Sequence, residues 1–373
     1  MPSRIKNQLA VVRRQRGFGA SDLARRVSVS RQTIYAIEAG SYIPNTELAL
    51  GLARELEVSV EQLFSLASET QAAPDTIASE VLSAQPPEKG SPVRICKVGS
   101  RWVSVPVSAA PYYLPEADGV ISRLKRHQSK VDVLIPSRDS VSQKRLVLAG
   151  CDPASSLLAH MVEQTSGIEI VSAAASSKLA LNWLRADKVH VAGSHLKDDR
   201  TGEFNLPYIR REFKEGDFKV VTFARWEEGL VVAKGNPKGL RKVQDLTKKS
   251  VRFVNRELGS GSRALLDRLL HEAGVLPSTV NGYDRVVRGH LAAAYSVASC
   301  EADCCLATRS AAQTFNLAFT PLESERYDLV MRKRTLETPE AQALLDVLQR
   351  ASLRRKLEAV AGYDTAQTGA ILV

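Results

Sequence analysis

The chain has 373 residues, with 51 Lys plus Arg against 41 Asp plus Glu, a net charge of +10 and a hydrophobic fraction of 44%. That content supports ordinary packed cores and excludes wholesale disorder, collagen and a coiled-coil rod; at roughly 100–200 residues per domain it predicts two or three domains. No run of about 18 apolar residues marks a membrane span, the charged start carries no signal core, and five scattered cysteines do not make a disulfide scaffold, so a cytoplasmic protein with a polyanionic partner is expected.

Residues 1–67 read as a row of short helices. Ile5, Leu9 and Val12 fall at helical spacing. Ser21 caps a helix carrying Leu23, Ala24 and Val27, and Ser28–Val29 make a short turn. Ser30 caps a second helix, Arg31–Ala39, with Ile34 and Ile37 inward; Gly40 ends it and Pro44 blocks re-entry. Thr46 starts a helix holding Leu48, Leu50, Leu52 and Ala53, and Val60–Phe64 closes the bundle. Residues 68–92, rich in Ala, Ser, Pro and Glu without periodicity, read as a linker. Residues 93–144 hold VRICKVG, RWVSVPV and KVDVLI, a small β-rich connecting region. From 145 to 335, strands such as RLVLAG, IEIVSAA, KVHVAG, FKVVTFA and LVVAKG alternate with helical ASSLLAHMVEQT and KLALNWLRAD, which predicts α/β units on a largely parallel sheet. Residues 336–373 read as a helical segment and tail.

The run DLARRVSVS, SRQTIYAIEAG, a Pro-containing turn and LALGLARELEVSVEQLF resembles the helix-turn-helix domain of the phage-repressor-like (xenobiotic-response-element, XRE) family. The resemblance implies that Arg31–Ala39 lies in the DNA major groove. Side-chain chemistry agrees: Arg31 matches guanine, Gln32 matches adenine, and Thr33 suits a thymine methyl or a phosphate, with Tyr35 near the same surface. Ser30 and Ser21 stand at helix starts, where backbone N–H groups meet phosphates. Arg13 and Arg14 are the expected phosphate contacts among eight basic residues in the first 40, against Asp22 and Glu38.

In the larger module several strands end in polar loops. LVLAGCDPASS brings Asp152 and Ser155 to a helix start; HVAGSH brings Ser194 and His195 beyond a strand; FVNRELGSGSR brings Arg256, Ser262 and Arg263 around a glycine-permitted turn. Ligands in open α/β sheets bind beyond such strand ends. Arg256 suits a carboxylate, phosphate or oxyanion, and Tyr295 or Tyr327 closes one side. AGCDPA, AGSHLKDDRTGEFN, FVNRELGSGSRALLD, HLAAAYSVASCEADCCLA and PLESERYDLVMRK together resemble the periplasmic-binding-protein-like sensor domains of bacterial one-component regulators, related to binding proteins for molybdate and similar oxyanions. The resemblance implies two α/β lobes joined by crossing strands, a ligand cleft between them and no catalysis.

No metal site is expected: Cys300, Cys304 and Cys305 form no CxxC pair, and the six histidines form no HExxH. No GxSxG or phosphate-loop spacing supports an enzyme. The chain thus reads as a multidomain protein, an all-α helix-turn-helix head plus an α/β two-lobed module, with no cofactor. Its expected partners are double-stranded DNA, a small anionic ligand (an oxyanion such as molybdate, or an organic or phosphorylated acid) and a second copy in a homodimer or higher oligomer. The alternative is a DNA-tethered protein-interaction adaptor without a small ligand.

Overall fold

The computed structural model describes residues 5–66, 75–107, 114, 116–125, 129–136, 144–214 and 216–373, and the chain divides into two units between Pro74 and Asp75. The first unit contains β1 (Ile5–Asn7), α1 (Leu9–Gln15), α2 (Ala20–Arg26), α3 (Arg31–Glu38), α4 (Thr46–Glu55), α5 (Val60–Leu63) and β2 (Phe64–Leu66). Leu9, Leu23, Ile34, Ile37, Leu52, Leu56 and Leu63 fill its core. Three sequence expectations shift here. Ile5 lies in β1, paired antiparallel with β2, rather than in the first helix. Gly19, not Ser21, takes the N-cap position of α2. Leu50 is 57% exposed, because the inward stripe of α4 runs through Ala49, Leu52 and Ala53.

The second unit begins with a closed five-stranded barrel: β3 (Asp75–Val81), β4 (Pro92–Val98), β5 (Arg101–Pro106), β6 (Gly119–Leu124) and β7 (Lys130–Ile135), in the order β3-β5-β4-β6-β7. β3 occupies part of the stretch expected to be linker; residues 68–74 of that stretch lie outside the described residues. Its inward side chains are Ile77, Ser79 and Val81, and Ser79 donates to Ser104 inside the barrel. A buried serine between two apolar residues hides the two-residue period from the sequence. The barrel is also welded to the α/β lobe that succeeds it in the chain. Leu82, Cys96, Val98, Val103 and Val105 share a core with Val147, Ala149, Val171, Ala173, Leu181 and Leu184. Arg145, buried at this seam, forks onto Asp118 at 2.6 and 2.9 Å, meets Glu169 at 2.6 Å and donates to the Ile95 carbonyl.

The α/β module runs in chain order as β8 (Arg145–Gly150), α6 (Ser155–Ser166), β9 (Glu169–Ala174), α7 (Ser177–Arg185), β10 (Val191–Ser194), α8 (Leu206–Glu212), β11 (Phe218–Val232), β12 (Phe253–Arg256), α9 (Gly261–Glu272), β13 (Val286–Val287), α10 (His290–Ala298), β14 (Cys304–Thr308), α11 (Arg309–Thr314), β15 (Ala318–Arg332), α12 (Lys333–Leu336), α13 (Pro339–Gln349) and α14 (Ala351–Lys356). Its sheet has the order β13-β12-β14-β11-β15-β10-β8-β9. β11 and β15, 15 residues each and antiparallel, run through both halves. At one end β15 pairs with β10; at the other β11 pairs with β14. These are the crossing strands between two lobes. FKVVTFA and the LVV of LVVAKG, which read as separate strands, both lie in β11. The segment after residue 335 is no loose tail: Leu344, Val347, Leu348, Leu353 and Tyr363 pack into the first lobe with Leu146, Leu148, Leu158 and Val162. No helix among the described residues is long and apolar enough to cross a membrane.

Candidate ligand cleft and DNA-reading face

In the head, Ser30 caps α3, its Oγ accepting from the Thr33 N–H, a contact worth about 1 kcal/mol. With Ile34 and Ile37 turned inward, Arg31, Gln32 and Tyr35 face solvent and Thr33 is half-buried. The Arg31 guanidinium lies over the Tyr35 ring at 5.2 Å and donates to its hydroxyl at 2.9 Å, so the two side chains form one exposed platform. Ser21 and Arg14 are exposed. Arg13 departs from the expected phosphate role. It is buried, grips Glu38 at 2.6 and 3.1 Å and donates to the Phe18 carbonyl, so it fastens α1 to α3.

In the module, the hinge strands pair Trp226 with Glu325 and Ala224 with Tyr327. Trp226, Glu228, Glu325 and Tyr327 thereby share one face, and the loops after β8 and β10 meet them there. His195 is fully buried. Its Nδ1 lies 2.6 Å from Glu325, its Nε2 lies 3.3 Å from the Cys151 sulfur, and its backbone N–H donates to Ser177. From the second lobe, His290 comes within 5.7 Å of the His195 ring, centroid to centroid. Gly261, at the start of α9, lets the second lobe come close to His195 as well, because a Cβ there would lie 2.3 Å from the His195 ring. Gly150 and Gly193 likewise leave room for the Tyr327 hydroxyl.

Burial dominates the electrostatics. It pushes Glu325 up to about 7 and Asp152 up to about 6. Glu228 is raised well above the usual carboxylate range by burial and by Glu325 beside it. Burial and the nearby Arg256 lower His290 well below the usual histidine value. For His195, burial opposes the charged form, but Cys151 and Glu228 outweigh it and the net shift is upward. Several buried atoms have no hydrogen-bond partner among the described residues: the Ser194 hydroxyl, both Glu228 oxygens, both His290 ring nitrogens and the Tyr327 hydroxyl. Such groups are rare in native interiors and mark places where a further partner belongs.

The predicted residues divide. Ser194 and His195 lie at the cleft. Arg256 is 1% exposed, held bidentately by Glu257 at 2.9 and 3.2 Å, and donates to Ser262 at 3.3 Å. Ser155 donates to the carbonyl of Asp152 within its own loop. Arg263 does not fit a ligand role: it pairs with Asp267 and lies 4.0 Å over the Tyr283 ring, inside the second lobe. Tyr295 is exposed, whereas Tyr327 is buried in the cluster. Cys304 and Cys305 point to opposite faces of β14 into separate cores, and burial raises both thiols. Sequence reading missed Cys151, Glu228, His290 and Glu325. The available signal was the carboxylates placed within long apolar strands.

Residues 9–63 match the family described as helix-turn-helix, and residues 158–349 match the PBP superfamily domain. The uncharacterised protein YvgK of Bacillus subtilis is 36% identical over 186 residues, covering 50% of this chain and 60% of that protein. An uncharacterised helix-turn-helix-type transcriptional regulator of Methanocaldococcus jannaschii, MJ0272, is 42% identical over 60 residues, covering 16% of this chain and 91% of the relative. Among solved structures, a putative phosphate ABC transporter substrate-binding protein with bound phosphate from Clostridium perfringens aligns with TM-score 0.46 and 15% identity, over 59% of this chain and 98% of that one. The chain therefore fuses a helix-turn-helix domain to a two-lobed module and, through a match spanning more than half its length, belongs to the PBP superfamily domain family.

Proposed function

We propose that this protein is a one-component transcription regulator that reads an operator as a homodimer and senses a small anion or acidic metabolite between its two lobes. One juxtaposition carries the reading. A helix-turn-helix head with Arg31, Gln32 and Tyr35 exposed on α3 shares a chain with a module whose cleft gathers buried, unpartnered polar atoms from both lobes. In this reading the head is of the phage-repressor-like kind. Arg31, Gln32 and Thr33 read base edges in the major groove, while Ser21, Ser30 and Arg14 meet phosphates. Two-fold symmetry doubles a short site. Ser194 and His195 from the first lobe, and Arg256 and Ser262 from the second, take the ligand; an oxyanion such as molybdate and an organic or phosphorylated acid share the required chemistry. Ligand bound across the cleft favours closed lobes and so biases the arrangement of the heads. The protein works in the cytoplasm.

A thermal-shift screen of the full chain against oxyanions and small organic and phosphorylated acids tests the sensing half. A true ligand at about 100 times its Kd raises stability by about 2.7 kcal/mol. That gain should disappear in Ser194→Ala and in Arg256→Ala. A screen in which no compound moves the melting transition removes the sensor reading.

A further inference from the structure

Three soft or borderline donors converge on the cleft from two loops and a helix start. Cys151 follows β8, His195 follows β10, and His290 opens α10 in the other lobe. One ligand atom from each lies within 4.8 Å of the other two. The His195 ring is already oriented: its Nδ1 is held by Glu325 at 2.6 Å, which turns Nε2 toward the Cys151 sulfur at 3.3 Å. A carboxylate behind an imidazole is the arrangement that fixes tautomer and raises basicity in metal-bound histidines. A second, independent observation concerns satisfaction. His290 is 1% exposed and neither ring nitrogen has a partner among the described residues. Glu228, also buried, has neither oxygen partnered and lies 3.7 Å from His290 Nδ1 and 3.9 Å from His195 Nδ1. Each neutral imidazole offers one N–H, which an anion or a carboxylate can accept, and one lone pair, which an anion cannot satisfy and a metal ion can.

We propose that Cys151, His195 and His290 bind a divalent transition-metal ion of the zinc class, with Glu325 and Glu228 as positioning carboxylates behind the imidazoles. A thiol and two imidazoles select zinc, cobalt, nickel or copper over magnesium and calcium. On binding, the Cys151 thiol releases its proton to solvent and the thiolate ligates. Three protein ligands leave a fourth position for an oxygen of the acidic ligand, and for that last step the inference rests on the sensing reading above. Because His290 comes from the opposite lobe, the ion would also tie the lobes together.

The test is a cobalt(II) titration of the full chain, reduced and stripped of metal with a chelator, followed by visible and near-ultraviolet absorption. The expected result is a single bound ion with four-coordinate d–d bands and a thiolate-to-cobalt charge-transfer band, displaced by zinc. Cys151→Ser, nearly isosteric, abolishes the charge-transfer band. His290→Ala weakens binding by more than about 10-fold, and Glu325→Gln by about 10–100-fold with the charge-transfer band retained. Circular dichroism verifies that each variant is folded. A folded wild type without a cobalt spectrum overturns the site, as does a spectrum that survives both Cys151→Ser and His290→Ala. Operator affinity measured on the same samples separates the two readings. Cobalt held through Cys151 supports the metal site even if operator affinity never moves, which sinks sensing alone. Operator affinity that responds to small acids without any cobalt uptake overturns the metal site alone.

Discussion

Replacing Gly261 by alanine should prevent full closure of the lobes while leaving each lobe folded. Gly261 is the first residue of α9, and its backbone is of a kind that alanine adopts freely. A Cβ built there lies 2.3, 2.4 and 3.0 Å from His195 Cε1, Nδ1 and Nε2, about 1 Å inside ordinary contact. The ring cannot retreat cheaply, because Glu325 holds Nδ1 and Ser177 holds the backbone N–H. Overpacking of this kind costs about 1–3 kcal/mol, which shifts the closed-to-open ratio by about 5- to 150-fold. Locally the change is mildly favourable, since alanine outdoes glycine in a helix by about 0.5–1 kcal/mol. Hydrogen–deuterium exchange with mass spectrometry reads the outcome without any ligand. The Lys178 N–H reaches the Gly259 carbonyl across the cleft at 3.4 Å and should exchange faster in the variant, together with peptides spanning 176–180 and 257–263. Peptides from α13, packed in the first lobe, should not change. Wild-type exchange at the cleft would show that the ring yields instead and that Gly261 does not control closure.

Arg13→Ala should cost the head roughly 2 kcal/mol in urea unfolding, because it strands a half-buried Glu38; Arg31→Ala should leave stability within about 0.5 kcal/mol yet lose about 1–3 kcal/mol of discrimination at one or two base pairs. An equal loss on operator and scrambled duplexes would end the base-reading role of Arg31, whereas Arg14→Ala should show that even loss. A fragment 75–373 should fold and one beginning at 93 should not, since the latter lacks β3. Arg145→Ala should cost the second unit about 3–5 kcal/mol by tryptophan fluorescence, and a loss below about 1 kcal/mol would mean that barrel and lobe fold separately. Burial works against the Asp303 carboxylate, but hydrogen bonds from Arg252 and Lys238 prevail and bring it down to about 2. Its contribution, roughly 2 kcal/mol, is therefore present above about pH 4 and lost as pH falls through 2. The stability gap between wild type and Asp303→Asn should narrow by roughly 1 kcal/mol from pH 6 to pH 3, and a constant gap would contradict the assignment.

The head was legible because its signals are local: Ser30 as cap, Ile34 and Ile37 at helical spacing, Gly40 as stop. The α/β alternation was legible for the same reason. β3 was not, because Ala and Ser occupy strand positions that usually show β-branched residues, and its inward serine is satisfied by Ser104 from another strand. Arg13 and Arg263 illustrate a different limit. A basic residue near a predicted site looks like a donor until its partner is known, and Glu38 and Asp267 are those partners. The cluster at the cleft joins residues far apart in the chain, with His195 and Glu325 separated by 130 positions. Spacing rules for metal and catalytic motifs act within loops or helix turns, so a set assembled by two crossing strands leaves no such spacing.

Fluorescence anisotropy gives the decisive comparison: operator affinity of the full chain, at fixed salt, on a duplex selected from a random library, across a panel of oxyanions and small acids with and without zinc. At least one condition should shift operator affinity by about 5-fold or more, the usual range of coupling between sites, and His195→Ala should abolish the shift while still binding the duplex. Operator affinity that stays constant across the panel, or a shift that persists in His195→Ala, would contradict a sensor built around this cleft.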